Sequence, residues 1–499
     1  MNIDPLVQRI IVAIKNGEKI TIFGDCDYDG LVSGIILYRF LSEFTSNIEL
    51  KYVERSIGHG TEFVYDQIDE ETKLYIAVDS SSNDIEPLKN LQSRGIDCLV
   101  IDHHEVLVNN PFAIIVNPQQ EGCNYPNKNT SGGLLVWKVC KTIDDYMDTD
   151  YADQYVDLAG FAVAADMMLM VEPENRYYFS NSLKNVKHIG LRLLFKKMNA
   201  NINNLYANDF LYGVSPCVSA ATRSDNIQLA IDFLLETDEQ RAKKYVSLLV
   251  KENEKRKKLQ QEALKRLKPT FNLEDKCIVV YDPTIGKGYN GLVAQEISKL
   301  YNRPAIVLGN SDDPEYYAGS YRGLDEFSMM EILESCKYAE YAIGHPGAGG
   351  TKVKISNLED LIAELNQKLE NQTIDDSIYY DLTFDVSEIN ERLISKIEDF
   401  YRVTGKGFKQ GVFRITNLFV SNRELKGKSE NTVKIDCGSL KLMKFKTDST
   451  YLDSFPVFSW IEAVGSLNMN YWTQYKPRYT VLKTCQLLLE DYKEVNQTK

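Results

Sequence analysis

Short apolar runs alternate with stretches of helical spacing through the first third of the chain. The run 20–23 (ITIF) is β-branched, bounded by turn residues, and reads as a buried strand. Residues 31–44 (LVSGIILYRFLSEF) follow with helical spacing, so the pattern is strand, tight turn, helix. A second strand pattern, LYIAVDS (74–80), and a third, CLVIDHHE (98–105), each follow a candidate helix. Strands that alternate with helices predict an α/β fold with a parallel sheet and right-handed crossovers. Ligands of such sheets bind beyond the carboxyl ends of the strands. A fourth element, YVDLAGFAVAADMMLM (155–170), is apolar enough to be buried yet carries Asp157 and Asp166.

The pattern then changes. Residues 226–268 predict a helix pair or one broken helix, with a narrow apolar stripe (Leu259, Ala263, Leu267) on a highly charged second half. That stripe suits a connector between lobes, and equally a solvated surface helix. From Lys276 a second α/β pattern starts with CIVVYD, a helix GLVAQEISKLYN and a strand PAIVLG, and it ends in GSYRG and AIGHPGAGG. From about Ile378 several short strands spaced by polar turns predict a small barrel.

Chemistry enters at the strand ends. Each of the first three predicted strands finishes in acid or histidine: Asp25, Asp27 and Asp29, then Asp79, then Asp102-His103-His104. If the first segment stays extended, its three carboxylates share a face and converge. Three like charges so placed repel and raise one another's pKa unless a cation sits among them. Oxygen ligands at this density suit Mg2+ or Mn2+ better than zinc. Two plainer readings stand beside this one: DCDYDG as an acidic turn closed by Gly30, and Asp79 as a helix N-cap.

Composition narrows the classes. At 499 residues and 43% hydrophobic content the chain has material for more than one ordinary core. Nine scattered cysteines form no C-x-x-C pair, which predicts reduced thiols and no zinc site. The net charge of −14 argues against coating duplex DNA by bulk charge, but a local basic groove is invisible in a total. No run of about 18 apolar residues and no cleavage-type leader is found, so a cytoplasmic protein without membrane association is expected.

In this order, DCDYDG, VDSSSND, DHHE and AVAADM resemble the four signature motifs of the DHH phosphoesterase superfamily. NPQQEGCNYPNKNTSGGLLVWKV (117–139) and SPCVSAATRSD (215–225) narrow the resemblance to RecJ-like single-strand-specific exonucleases. The resemblance implies a DHH domain over 1–200, a helical connector over 201–269, a smaller α/β DHH-associated domain over 270–370 and an OB-like β-barrel over 376–499. It implies two Mn2+ or Mg2+ ions held by Asp25, Asp27, Asp29, Asp79, His103 and Asp166. Asp79 would bridge them, and His104 would sit nearer the scissile phosphate.

Arg55, Arg223, Ser320, Arg322 and His345 would contact substrate phosphates, His345 from a glycine-rich loop. Trp472 and Tyr475, with Lys426, Lys428, Lys441, Lys444 and Lys446, would bind the strand on the barrel, whose end resembles the family's around Asn470, Trp472 and Pro477. The implied activity is hydrolysis of single-stranded DNA from its 5′ end in repair, recombination or replication. The implied agent is a monomer, with a single-strand-binding protein or helicase as partner. Cys217, Ser219, Ile285 and Gly286 depart from the family pattern in substrate-contacting regions. Two other activities fit the same motifs: a phosphodiesterase for short oligonucleotides or cyclic dinucleotides, and a catalytically silent scaffold that acts in replication by binding.

Overall fold

The computed structural model describes residues 2–375, 377–427, 431–445, 447, 449–474 and 480–495, excepting the side chains of 472–474 and 480. The chain divides into two compact units, Met1–Met168 with Glu172–Asp376, and Leu169–Val171 with Ser377–Lys499.

The first unit opens with helix α1 (Ile3–Asn16) and strand β1 (Lys19–Gly24), followed by α2 (Tyr28–Leu41) and β2 (Ile48–Lys51). Then come β3 (Thr72–Val78), α3 (Ile85–Ser93), β4 (Asp97–Ile101) and β5 (Ile114–Val116). The five strands form one parallel sheet in the order β2-β1-β3-β4-β5. The central strands are buried along nearly their whole length, as a parallel sheet covered on both faces requires. On one face Phe23, Tyr75, Ala77 and Val100 pack with Leu88 and Leu91 of α3.

Because β1 connects to β2 on one side and the chain then crosses to β3 on the other, the sheet reverses direction between β1 and β3. A crevice opens at that reversal, outside the carboxyl ends of the strands. It is here that Asp25 and Asp79 emerge.

Helices α4 (Gly132–Met147), α5 (Val156–Ala165), α6 (Pro173–Lys184) and α7 (Ile189–Lys197) complete the first layer, α2 packing against α4 and α5. Next come α8 (Ser215–Arg223), α9 (Ile227–Leu235) and α10 (Glu239–Leu267). The connector is therefore a helix pair. The 29 residues of α10 make a rod about 43 Å long. Its first half packs on α7 and α8, while Ala263 and Leu267 at its far end enter the core of the next sheet. The narrow apolar stripe is thus buried rather than solvated.

That next sheet holds β6 (Ile278–Tyr281), β7 (Ala305–Asn310), β8 (Tyr316–Arg322), β9 (Ala339–His345) and β10 (Ala348–Lys354) in the order β6-β7-β8-β10-β9. Helix α11 (Lys287–Tyr301) covers one face over β7 and β8, its Val293, Ala294 and Ile297 packing on Ala305 and Val307. Helices α12 (Met329–Glu334) and α13 (Leu358–Leu369) cover the other face. The sequence AIGHPGAGG, expected as a glycine-rich loop, instead forms strands β9 and β10 joined at Pro346-Gly347, with His345 opposite Ala348.

In the second unit β11 (Leu382–Asp385), β12 (Phe413–Phe419), β13 (Asn422–Lys426), β14 (Thr432–Cys437), β15 (Leu440–Phe445), β16 (Trp460–Gln474) and β17 (Thr480–Glu494) make one sheet, ordered β11-β12-β16-β17-β15-β14-β13. Helices α14 (Glu391–Phe400) and α15 (Ser449–Ser454) accompany it. Not all its strands are short: β16 and β17 run 15 residues each as a long antiparallel pair. Lys428, Lys446, Tyr475, Pro477 and the side chain of Trp472 lie outside the described residues.

Candidate metal centre and phosphate cleft

Six of the predicted ligands converge on the crevice, by a route other than an extended strand. Strand β1 stops at Gly24, the backbone turns, and Asp27 caps α2 by accepting the Gly30 N–H at 3.0 Å. Asp29 already lies in the first turn of that helix. Its two carboxylate oxygens accept the N–H groups of Gly132 and Gly133, at 2.7 and 2.8 Å, where α4 begins. Two helix starts and one strand end thus bring the acids together.

Asp79 follows β3 in the left-handed backbone region (φ +61°) with its N–H bonded to the carbonyl of Ile101 at 2.8 Å. That conformation is uncommon outside glycine, asparagine and aspartate, and it turns the carboxylate into the crevice. Asp166 stands at the end of α5.

His103 Nε2 is the hub. It lies 3.1 Å from Asp79 Oδ1, 3.3 Å from Asp166 Oδ2 and 3.8 Å from Asp29 Oδ2. Asp25, Asp27 and Asp79 form an overlapping triad, and Asp79, His103 and His104 another. Although buried, Asp79 Oδ1 and His103 Nε2 have no hydrogen-bond partner among the described residues. Orphaned polar atoms at van der Waals distance from further carboxylates are what a cation would satisfy.

Electrostatics agrees. Burial, with the like charge of Asp27, pushes the Asp29 carboxyl up to about 7. Burial together with Asp29 and Asp27 drives Asp79 well above the carboxylate range. Burial and the neighbouring His104 push His103 down to about 4, leaving its ring neutral as a metal ligand must be. The oxygen-rich donor set with one imidazole fits Mn2+ or Mg2+.

The sequence reading assigns no role to two participants, although it places Asp102 at the end of its strand. Asp102, buried beneath the histidines, accepts the backbone N–H groups of His103 and His104 and the Nδ1 hydrogen of the His104 ring. Burial opposes its ionisation, but the bond to His104 outweighs that and holds the carboxyl well below its usual range. His59 lies at 3.0 Å from Asp25 Oδ1 and 3.6 Å from Cys26 Sγ. Its signal was in the sequence: one of only five histidines, set between Gly58 and Gly60, both at positive φ. Asp157, by contrast, is no ligand; it accepts the N–H groups of Lys187 and His188 elsewhere.

Beside the acids the arginines gather. Asp27, Asp29, Asp166, Arg55, Ser219 and Arg223 line one small hollow of about 100 Å3. Arg55, His59, Arg223, Gly286 and Lys287 line an adjoining cleft of about 670 Å3. The Arg223 side chain donates to the carbonyl of Gly288 at 3.1 Å, and the backbone of Arg223 comes so close that a Cβ on Gly288 would strike its carbonyl oxygen. Arg322 lies across Gly291 on α11 and donates to the carbonyl of Tyr321.

Burial and the charges of Arg55 and Arg322 press Arg223 down to about 9. Asp27 offsets this only in part, and guanidinium groups so gathered suit an anion such as a phosphate. His345, at the end of β9, is near enough to lower His103 by its charge. Ser320 lies on the same sheet but lines a separate hollow with Tyr341 and Lys352. Of the family departures, Ser219 faces the small hollow, Gly286 lines the cleft and Ile285 is buried. Cys217 turns away into the connector, against Asn253 at 3.3 Å.

Residues 19–164 match the family described as DHH family, N-terminal domain. The SPbeta prophage-derived protein YorK of Bacillus subtilis (strain 168) is 26% identical over 96% of this chain and 88% of its own length. The single-stranded-DNA-specific exonuclease RecJ of the same organism is 28% identical over 73% of this chain, which spans 47% of that relative. Among solved structures, RecJ from Thermus thermophilus in complex with Mn2+ superposes with a TM-score of 0.82. That match is 20% identical and covers 99% of this chain and 72% of that one. The chain therefore has the fold of RecJ, and its residues 19–164 are similar to the N-terminal domain of the DHH family.

Proposed function

We propose that the chain is a metal-dependent exonuclease that hydrolyses phosphodiester bonds of single-stranded DNA from the 5′ end. The observation that carries this reading is the acid and histidine cluster at the sheet crevice directly beside Arg55 and Arg223, which line both the small hollow at the acids and the adjoining cleft, with the charge of Arg322 acting on Arg223. The names of YorK's and RecJ's family and the Mn2+ complex of the Thermus protein support it. Asp25, Asp27, Asp29, Asp79, His103 and Asp166 would hold two Mn2+ or Mg2+ ions, Asp79 shared between them. When bound, such ions activate water and stabilise the entering and leaving oxygens of an in-line displacement.

The chain's own groups do the positioning. Asp102 fixes the His104 ring through Nδ1, leaving Nε2 for the scissile phosphate. Arg55, Arg223, Arg322 and His345 hold neighbouring phosphates, the planar arginine forks pairing with two oxygens each. Ser320 and Trp472 contact the strand further on.

A cleft sunk between α8 and α11 admits one strand. A duplex would have to unpair first, at a few kcal/mol per base, so discrimination needs no base-specific contact. On this reading residues 1–200 are the DHH domain, 201–269 the connector, 270–370 the DHH-associated domain and 376–499 an OB-like module. The protein would work as a cytoplasmic monomer on strands exposed by a single-strand-binding protein or helicase. No helix among the described residues is long and apolar enough to cross a membrane.

The test is a Mn2+-dependent digestion of a strand labelled separately at each end, with and without its complement. Mononucleotides released first from the 5′ end, and little from blunt duplex, are expected. First release from the 3′ end would refute the direction, and no hydrolysis would refute the activity.

A further inference from the structure

The open face of the second sheet carries a pattern that folding alone does not explain. In its register Tyr341, Ile343 and His345 of β9 stand opposite Lys352, Gly350 and Ala348 of β10. These in turn oppose Ala318, Ser320 and Arg322 of β8. Directly opposed residues share a face, so Tyr341, Ile343, Ser320, Lys352, Arg322 and His345 all lie on one side. The other side is core, with Tyr321, Ala342 and Val353 buried. Helix α11 shields this face over β7 and β8. Toward the sheet edge Ile343 is 66% exposed and Tyr341 39%.

Beneath Tyr341 the face dips into a hollow of about 460 Å3 that also reaches Ser320, Lys352 and Asn290. Asn290 projects from α11 with only 3% of its surface exposed, and its amide oxygen has no hydrogen-bond partner among the described residues. A buried acceptor left unpaired costs stability unless something fills it. Gly350, in the middle of the face, has ordinary φ, and a Cβ there would meet nothing closer than 3.7 Å. Neither backbone nor packing demands glycine at this position. Its bareness leaves the floor flat between Ile343 and Ser320.

We infer that this hollow is a nucleotide subsite, in which one base of the bound strand stacks on Tyr341 and donates a hydrogen bond to the Asn290 amide oxygen, its phosphate meeting Lys352 and Ser320. Every base has a face for the ring, and each of the four has an N–H or NH2 edge, so the subsite is tolerant of sequence. The cation is held in place, because the Lys352 ammonium sits 4.2 Å above the Tyr316 ring. Of the two acids at the rim, Asp312 is paired with Lys287 at 2.9 Å and Asp313 accepts the Glu315 backbone N–H at 3.0 Å. The hollow continues the face that carries Arg322 and His345 to the metal centre, so a strand whose end lies among the arginines can cross Gly350 to reach Tyr341.

The inference rests on the proposed action on single strands, and binding separates the two. Affinities are measured in a chelator, so that no bond is cut, for oligonucleotides with one abasic site placed at each successive position from the 5′ end. One position is expected to weaken wild-type binding about tenfold when its base is missing. Tyr341→Ala and Asn290→Ala proteins should bind the intact strand about tenfold more weakly and ignore that abasic site, while Tyr341→Phe retains both properties. Wild-type affinity and an unchanged abasic profile in Tyr341→Ala and Asn290→Ala would overturn the subsite. Absence of Mn2+-dependent hydrolysis by the wild type would refute the proposed activity, with the binding profile still deciding the subsite.

Discussion

Asp102 Oδ1 accepts the Nδ1 hydrogen of His104 at 2.8 Å and the backbone N–H groups of His103 and His104 at 2.7 and 3.1 Å. One buried oxygen therefore sets the path of the chain through both histidines and the orientation of one ring. Groups that orient metal-site histidines typically matter 10- to 100-fold. Asp102→Asn keeps the shape but cannot accept all three bonds in the same way. Turnover on single strands should fall by about that factor, with thermal stability changed far less than by loss of a core residue. Unaltered kcat in Asp102→Asn would show that His104 needs no such anchor.

Gly132 tests the cluster without replacing a ligand. A Cβ at this first residue of α4 would overlap Asp79 Oδ1 and lie 2.8 Å from its Cβ. The Gly132 N–H is also a partner of Asp29. Gly132→Ala should therefore displace Asp79 from the crevice and weaken Mn2+ binding at least tenfold, with activity lost in parallel. Asp79→Ala, which removes the shared ligand outright, is expected to abolish hydrolysis. Titration calorimetry with Mn2+ reads the first effect directly, and wild-type affinity in Gly132→Ala would contradict the crowding argument.

The arginine cluster trades stability for binding. Arg223 is pressed down to about 9 by burial and by Arg55 and Arg322, so its charge is unfavourable in the empty cleft. Arg223→Met keeps length and packing and removes that repulsion. The variant should melt at or above the wild-type temperature. Phosphate or a 5′-phosphorylated dinucleotide, which stabilises the wild type by neutralising the cluster, should no longer do so. A destabilised variant that still responds to phosphate would place the anion site elsewhere.

Much of this was legible in the sequence because chemistry and period coincided. Buried β1, β3 and β4 end where acids or histidines begin, and that coincidence survives in the structure. What misled was local geometry. Asp25, Asp27 and Asp29 at alternate positions look like one face of a strand, yet Gly24 ends the strand and Asp27 starts a helix. In AIGHPGAGG the glycines read as a loop, but Gly349 is glycine because a Cβ would strike Tyr321 and the carbonyl of Ile343 between strands. His59 reaches Asp25 across 34 residues and Asp102 also accepts the Ser82 N–H from 20 residues away, contacts that no spacing rule reveals.

His188 gives a pH test away from the metal centre. It caps α7, its Nδ1 accepting the Leu191 N–H at 3.2 Å while Nε2 donates to the carbonyl of Leu234 at 2.9 Å. With both nitrogens committed in the neutral form, burial pushes its pKa down from 6.5 to about 4. The unfolded chain thus takes up this proton near pH 6.5 and the folded chain only near pH 4. Between those values the unfolded state binds more protons, so the contribution is present above about 6.5 and is lost as pH falls toward 4.

A gap of about 2.5 units corresponds to up to ~3 kcal/mol. The neighbouring charges, Arg39 across the pocket and Asp157 beneath the His188 N–H, are the same in a variant and cancel in the comparison. His188→Asn retains a capping acceptor but does not titrate. It should be less stable than wild type at pH 7.5 and should close the gap, or reverse it, by pH 4.5 in paired thermal melts. A difference in melting temperature that stays constant across that range would mean that His188 is not held neutral in the folded protein.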